Sequence, residues 1–339
     1  MNLKLSLIAT ALLFAGCGGD DGGTPAPDAA PTGPVSILAT AKATPSLSSL
    51  VAAVEFASDN NDLVDLLSDP GTLTVFAPTN AAFDALAVEL TGMAGATAAD
   101  ILVAANKAAV KSVLQYHVLT TKVNAAGIQF GKAIVPAGGG FFKITAGTPP
   151  VIQDGSNRTA NITATDIEAT NGVVHLIDKV LLPAEGNIVE VAQAAGAATP
   201  PEFTILVEAV VAANLVTTLS GDGPFTVFAP TDAAFAAALT ELGLTKAQLL
   251  ASPLLDEILT YHVVSGRVLK ADVPVGTPIT TVEGGTFTIN AQLAISDEQT
   301  PARSSNITAT DVFAKNGVVH VIDKVILPNS FGAGGPGPR

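Results

Sequence analysis

The chain of 339 residues has no tryptophan, one cysteine (Cys17) and four histidines. A single cysteine excludes any disulfide within the chain, so a folded core must hold by packing alone. The histidines occur in neither H-x-H nor H-E-x-x-H spacing and there is no spare cysteine, so no metal ligands are nominated. Basic residues are scarce: 16 Lys and Arg stand against 30 Asp and Glu, without a long basic run. That balance excludes the basic face nucleic-acid binding requires, and no nucleic-acid partner is expected. Also missing are G-x-S-x-G, a Walker loop and a dinucleotide fingerprint. No catalytic residue and no cofactor are therefore nominated, and an enzyme is not expected. Charged residues make up 14% and apolar residues 48%, enough for two buried cores.

What is present is a repeat. "TNGVVHLIDKVLLP" at Thr170–Pro183 returns as "KNGVVHVIDKVILP" at Lys315–Pro328, 145 residues later. At the same offset "ANITATDIEA" (Ala160–Ala169) returns as "SNITATDVFA", and "QYHVL" (Gln115–Leu119) as "TYHVV". "TVFAPTNAAFDAL" (Thr74–Leu86) returns as "TVFAPTDAAFAAA" at an offset of 152, so the first copy is longer between these blocks. All four histidines (His117, His175, His262, His320) fall at two equivalent positions per copy. Two domains of ordinary size account for them better than one shared site. Their boundaries are read as 35–184 and 185–331, with a link of only about Pro183–Gly186, which implies restricted motion between them.

The N-terminus has the form of an export signal: Lys4, an apolar run from Leu5 to Phe14, then small residues before Cys17. Ala-Gly-Cys resembles the lipobox of bacterial lipoproteins, which implies a signal peptide over 1–16 and acylation of Cys17. Residues 17–34 are Gly, Pro, Ala and Asp-rich, too polar and flexible to build a core, and read as a tether. Fully extended, it spans on the order of 50 Å. Gly18 rather than Asp follows Cys17, which favours the outer membrane or cell surface by the sorting rule of enteric bacteria. The tail, 332–339, reads as disordered.

Within a copy, Leu47, Leu50, Val51 and Val54 form a helical stripe, repeated by Phe203, Leu206, Val207 and Val210. Short helices are expected at Asp62–Asp69 and near Asn214, then the strands "LTVFAP" and "FTVFAP", ended by Pro78 and Pro230. Thr79 or Asn80, and Thr231 or Asp232, would cap the Ala-rich helices that follow. Further helices are expected near Asn106–Tyr116 and Leu249–Tyr261. The last third is β-rich, with strands at Phe141–Gly147 and Thr286–Gln292. Asn171-Gly172 and Asn316-Gly317 predict type I′ hairpins.

The Thr-Val-Phe-Ala-Pro-Thr-(Asn/Asp)-x-x-Phe block, the Tyr-His pair and Asn-Gly-Val-Val-His-x-Ile-Asp-x-Val-x-x-Pro occur in that order twice. Together they resemble the fasciclin-type (FAS1) domain. The resemblance implies an α+β fold of two tandem FAS1-like domains, each a wedge-shaped β-sandwich flanked by short α-helices, in a family of secreted or membrane-anchored adhesion proteins. In animal members the matching Tyr-His pair is implicated in integrin recognition. This nominates Tyr116, His117, Tyr261 and His262 as partner-contact residues; the plainer reading is that Tyr and His close the junction between helix and strand. His175 and His320 read as core histidines. Asn157, Asn161 and Asn306 match glycosylation sequons but read as ordinary polar residues in or beside strands.

The expected function is non-catalytic: two modules anchored to a membrane through lipid on Cys17 and presented to cells, matrix polysaccharide or envelope proteins. The alternative is an extracytoplasmic carrier of a small apolar ligand held between sheet and helices.

Overall fold

Each copy is built around two central strands that are apolar on both faces. β1 (Leu73–Pro78) lies near the start of the first copy's sheet. It is followed in the chain by β2 (Val118–Leu119), β3 (Ala133–Ile134), β4 (Phe142–Thr145), β5 (Val151–Gln153), β6 (Thr159–Ala169) and β7 (Gly172–Ile177). β1 and β7 run parallel, with Val75 opposite Val174 and Phe76 opposite His175. Alternation sends Val75, Ala77 and Val174 towards the helices, and Phe76 and Ile177 towards the other half of the sheet. Both faces are covered, which is why these strands read as continuous apolar runs. A computed structural model provides this description, for residues 34–200, 202–299 and 303–332. The expected signal peptide, Cys17, the tether up to residue 33 and the tail from 333 lie outside the described residues.

The seven strands form one sheet in the order β2-β1-β7-β6-β5-β4-β3. The second copy repeats it with β8 (Phe225–Pro230), β9 (Val263–Ser265), β10 (Ile279–Thr280), β11 (Thr286–Ile289), β12 (Ala294–Ser296), β13 (Ser304–Ala314) and β14 (Gly317–Ile322). Its order is β10-β11-β12-β13-β14-β8-β9. The expected sandwich is thus a single sheet curled on itself. The eleven-residue β6 serves both halves, pairing with β5 through Thr159–Asn161 and with β7 from Ile162 onward. Two register shifts bend it there, at a bulge where Asp166 takes φ +59°; Asp311 of β13 does the same at φ +60°. Between the halves Phe76 meets Phe142 edge-on at 5.3 Å, and Phe228 meets Phe287 at 5.0 Å.

Helices cover the outer face of the β1–β7 half. Thr79 and Thr231 cap their own helices, accepting from the N–H of Ala82 and Ala234. The next residue caps a different helix. Asp232 accepts from Thr204 and Ile205, at the start of helix Thr204–Ala212, and Asn80 accepts from Ser49 in helix Ser48–Ala57. Asn80 adds amide donations to the Pro45 carbonyl and Ser48 hydroxyl, which an aspartate could not make.

Two expectations change. The helix near 249–261 is two, Lys246–Leu250 and Leu255–Tyr261, because Pro253 breaks the ladder between them. The Asn-Gly hairpins are not type I′: Ala169 pairs with Gly172, so the loop is Thr170-Asn171, and Asn171 is not at positive φ. Asn171 is buried because chain far from the turn needs it. Its Oδ1 accepts from the Ile37 N–H at 2.8 Å, and its Nδ2 donates to the carbonyls of Leu67 and Asp69. Asn316 repeats this with Ile188, Leu219 and Gly221. The glycine beside each is sterically required, since a Cβ on Gly172 would lie 2.0 Å from the Leu73 carbonyl oxygen.

Asn171→Ala strands three backbone groups at once, of which the Ile37 N–H and the Leu67 carbonyl are buried. It is expected to cost about 3 kcal/mol or more, read as a lower urea midpoint.

Candidate interaction site

Tyr116 ends helix Lys107–Tyr116, and Tyr261 ends Leu255–Tyr261; each is followed by its histidine and a short strand. All four side chains are buried. The Tyr116 hydroxyl donates to the Phe141 carbonyl, and that of Tyr261 to the Thr286 carbonyl at 2.5 Å. Burial pushes both phenols above their ordinary pKa. The imidazole of His117 donates Nδ1–H to the Val113 carbonyl at 2.7 Å and accepts the Leu181 N–H at Nε2. His262 does the same with Ile258 and Ile326. Each imidazole is held neutral because burial lowers its pKa to about 4. With both ring nitrogens engaged internally, these side chains offer a partner no polar atom from where they stand. They close the joint between helix and strand.

His175 and His320 are also core residues, fully buried, with the opposite tautomer. Nδ1 accepts the bulge N–H of Asp166 or Asp311 at 3.2 Å, while Nε2–H donates to the Val123 or Val268 carbonyl. An imidazole satisfies the backbone donor that the bulge takes out of the ladder. Asn161 and Asn306, the sequon asparagines within strands, are tied to Asp178 and Asp323 at 2.6 and 2.8 Å.

The arrangement that sequence reading did not find is a junction between the domains. Lys143 on β4 reaches Asp311 on the β13 bulge at 2.5 Å, with side chains only 9% and 3% exposed. The other carboxylate oxygen of Asp311 accepts the Lys270 N–H at 2.8 Å. Gln153 donates to the Asp311 carbonyl at 2.7 Å. Asn157 pairs with Phe313 as a neighbouring strand would, accepting its N–H at 2.7 Å and donating to its carbonyl at 3.0 Å. Around these bonds Phe141 packs on Phe313 at 4.5 Å, with Leu269 and Val318 completing a small apolar cluster. The Arg267 guanidinium lies 3.8 Å over the Phe141 ring. At the edge Lys132 donates to Ala271 and pairs with Asp272. The short link is fastened too: Ser156 donates to the Pro183 carbonyl, and Lys315 N–H to that of Gly186.

Equivalent positions of the two copies differ just here. Where the second domain has Arg267, Leu269 and Phe313, the first has Lys122, Asn124 and Glu168, with Lys122 paired to Glu168 at 2.5 Å and Asn124 bonded to Glu168. Where the first domain has Phe141 and Lys143, the second has Thr286 and Thr288. The available signal was the change from Glu168 to Phe313 inside a phrase that otherwise differs only by Ala160 to Ser305 and Ile167 to Val312.

Comparison with known proteins gives the following. The profile of the fasciclin domain matches residues 45–183 and 201–328. Transforming growth factor-beta-induced protein ig-h3 of Sus scrofa is 30% identical over 270 residues, 78% of this chain and 36% of that protein. Human periostin is 26% identical over 274 residues, covering 80% and 30%. Immunogenic protein MPB70 of Mycobacterium bovis is 36% identical over 144 residues, covering 40% and 68%. The chain spans 36% of the length of the ig-h3 relatives. Among solved structures, a FAS1 domain pair from the insect cell adhesion molecule fasciclin I matches at TM-score 0.38 and 18% identity, covering 82% of this chain and 97% of that one.

Proposed function

The chain belongs to the fasciclin domain family, and from that premise we propose that it is a non-catalytic adhesion protein. It is exported, held to a membrane by lipid on Cys17, and presents two joined fasciclin domains to polysaccharide or protein on cell surfaces or in the surrounding matrix. The observation that carries this reading is the buried junction. Two domains fixed against each other offer a partner surfaces already in register, so bivalent capture avoids the ordering cost a flexible pair would bear. The contact surface is then the exposed exterior of the pair and not the buried Tyr-His joints.

The test uses Pro34–Arg339, within which both hydrophobic cores are complete, coupled to beads and offered cells and extracted exopolysaccharide of the organism that makes it. Saturable capture that survives moderate salt is expected. No capture by folded protein would overturn the adhesion reading. The anchor is checked by the intact mass of the detergent-extracted protein, expected to begin at an acylated Cys17; an unmodified N-terminus would remove that part of the proposal.

A further inference from the structure

The second domain holds an apolar cavity of about 290 Å³ between its sheet and its helices. Val189 and Leu206 line it from the helices, and Val312 and Val321 from the strands. The first domain supplies an internal control, because the same layer there is filled. The voids of that layer, lined by Leu38, Leu50, Val54, Val75 and neighbours, measure about 10 Å³ each; the first domain's larger pocket, of about 310 Å³ and lined by Phe76, Leu119 and Ile128, lies on the opposite side of β1. Equivalence of the two layers is fixed by shared bonds. Ile37 and Ile188 donate to Asn171 and Asn316, and the Ile167–Val174 and Ala164–Leu176 pairs return as Val312–Val319 and Ala309–Val321. On that alignment Leu38, Ile167 and Leu176 of the first domain become Val189, Val312 and Val321, each one methylene shorter.

The lining also defines the chemistry. Only Glu202 and His262 among the lining residues carry ionisable side chains. His262 has both ring nitrogens occupied by Ile258 and Ile326, so it has no hydrogen bond left for a guest. Glu202 is exposed among the lining residues, and its negative charge there opposes an anionic head group. An empty apolar void lowers stability in proportion to its volume. A dry engineered cavity of about 150 Å³ takes up benzene.

We propose that this cavity binds an uncharged, largely hydrocarbon molecule of about a dozen carbon atoms, with at most a hydroxyl at its polar end. This goes beyond the adhesion reading and does not depend on it. The probe is N-phenylnaphthylamine, whose fluorescence rises in apolar surroundings, added to Pro34–Arg339 and displaced by dodecanol or dodecanoate. Saturable enhancement is expected, with dodecanol displacing the probe about tenfold more effectively than dodecanoate. Val189→Leu with Val312→Ile and Val321→Leu restores the first domain's residues, and is expected to weaken probe binding at least about tenfold without lowering the thermal midpoint. Glu202→Gln, a surface change, is expected to bring dodecanoate close to dodecanol. Absence of saturable enhancement in the parent protein, equal binding by a folded triple variant, or an unchanged preference in Glu202→Gln would overturn the proposal.

Discussion

Lys143→Ala is expected to lower the stability of the joined pair by about 3–5 kcal/mol, although Lys143 belongs to neither domain's main core. The reason is what it leaves behind. Asp311 is 3% exposed and cannot be rehydrated while the junction stays shut. Its second oxygen remains bonded to the Lys270 N–H, so the carboxylate is held in place without its counter-charge. Opening the junction would hydrate Asp311 but expose Phe141, Phe313 and Leu269 together. Either response destabilises, and the two are separable by measurement. An opened junction makes the domains unfold in two urea transitions; a closed one keeps a single transition at a lower midpoint. Lys143→Met with Asp311→Asn removes both charges while the asparagine side-chain oxygen can still accept from Lys270. This double variant is expected to recover most of the loss, because replacing a whole buried pair by groups of similar size is far less costly than halving it. A Lys143→Ala loss under about 1 kcal/mol, the range of surface pairs, would mean that the pair is solvated.

Acidification from pH 7 to pH 4 is expected to remove about 3 kcal/mol of stability for each of His117 and His262. Both imidazoles have a folded pKa of about 4 against an ordinary 6.5, with burial as the main cause. Between those values the unfolded chain takes up protons that the folded chain refuses, so stability rises with pH in that window. The contribution is complete above 6.5 and is lost as pH falls towards 4. His320, whose pKa burial also lowers, acts in the same direction. Asp154 acts against it: burial raises its carboxyl pKa, so the folded state gains relative to the unfolded as pH falls through that range. Carboxylates whose pKa an ion pair lowers, Asp59 with Lys107 and Lys111 and Glu168 with Lys122, act in the same direction as the histidines, their contribution being lost as pH falls. Urea midpoints at pH 7, 5.5 and 4.5 with an unchanged slope provide the check. A flat profile over that interval would mean the two imidazoles ionise inside the folded protein.

Much of this was legible from the chain because the copies repeat what the fold needs. The Thr79 and Thr231 caps, the paired central strands and the core histidines all recur at a fixed spacing, and repetition separates requirement from accident. The Asn-Gly turn was misread for a local reason. Turn chemistry considers neighbours within four residues, whereas Asn171 answers to Ile37 and Leu67, more than 100 positions away. The Tyr-His pair was nominated for contact by resemblance, and its burial follows from the helix and strand it joins. The junction stayed hidden because it is made from positions where the copies disagree. Glu168 and Phe313, or Asn124 and Leu269, look like neutral drift until the domains are seen against each other.

That disagreement also limits assembly. One domain's β4 face against another's bulge face is a head-to-tail contact, and a duplicated head-to-tail contact has no natural end: a third and fourth copy would add by the same rule and grow a fibre. Here the outward bulge face of the first domain carries the Lys122–Glu168 ion pair in place of an aromatic ring, and the outward β4 face of the second carries Thr286 and Thr288 in place of Phe141 and Lys143. Neither free end fits the contact that made the pair. Within this pair the interface is used once, and neither outward face repeats it.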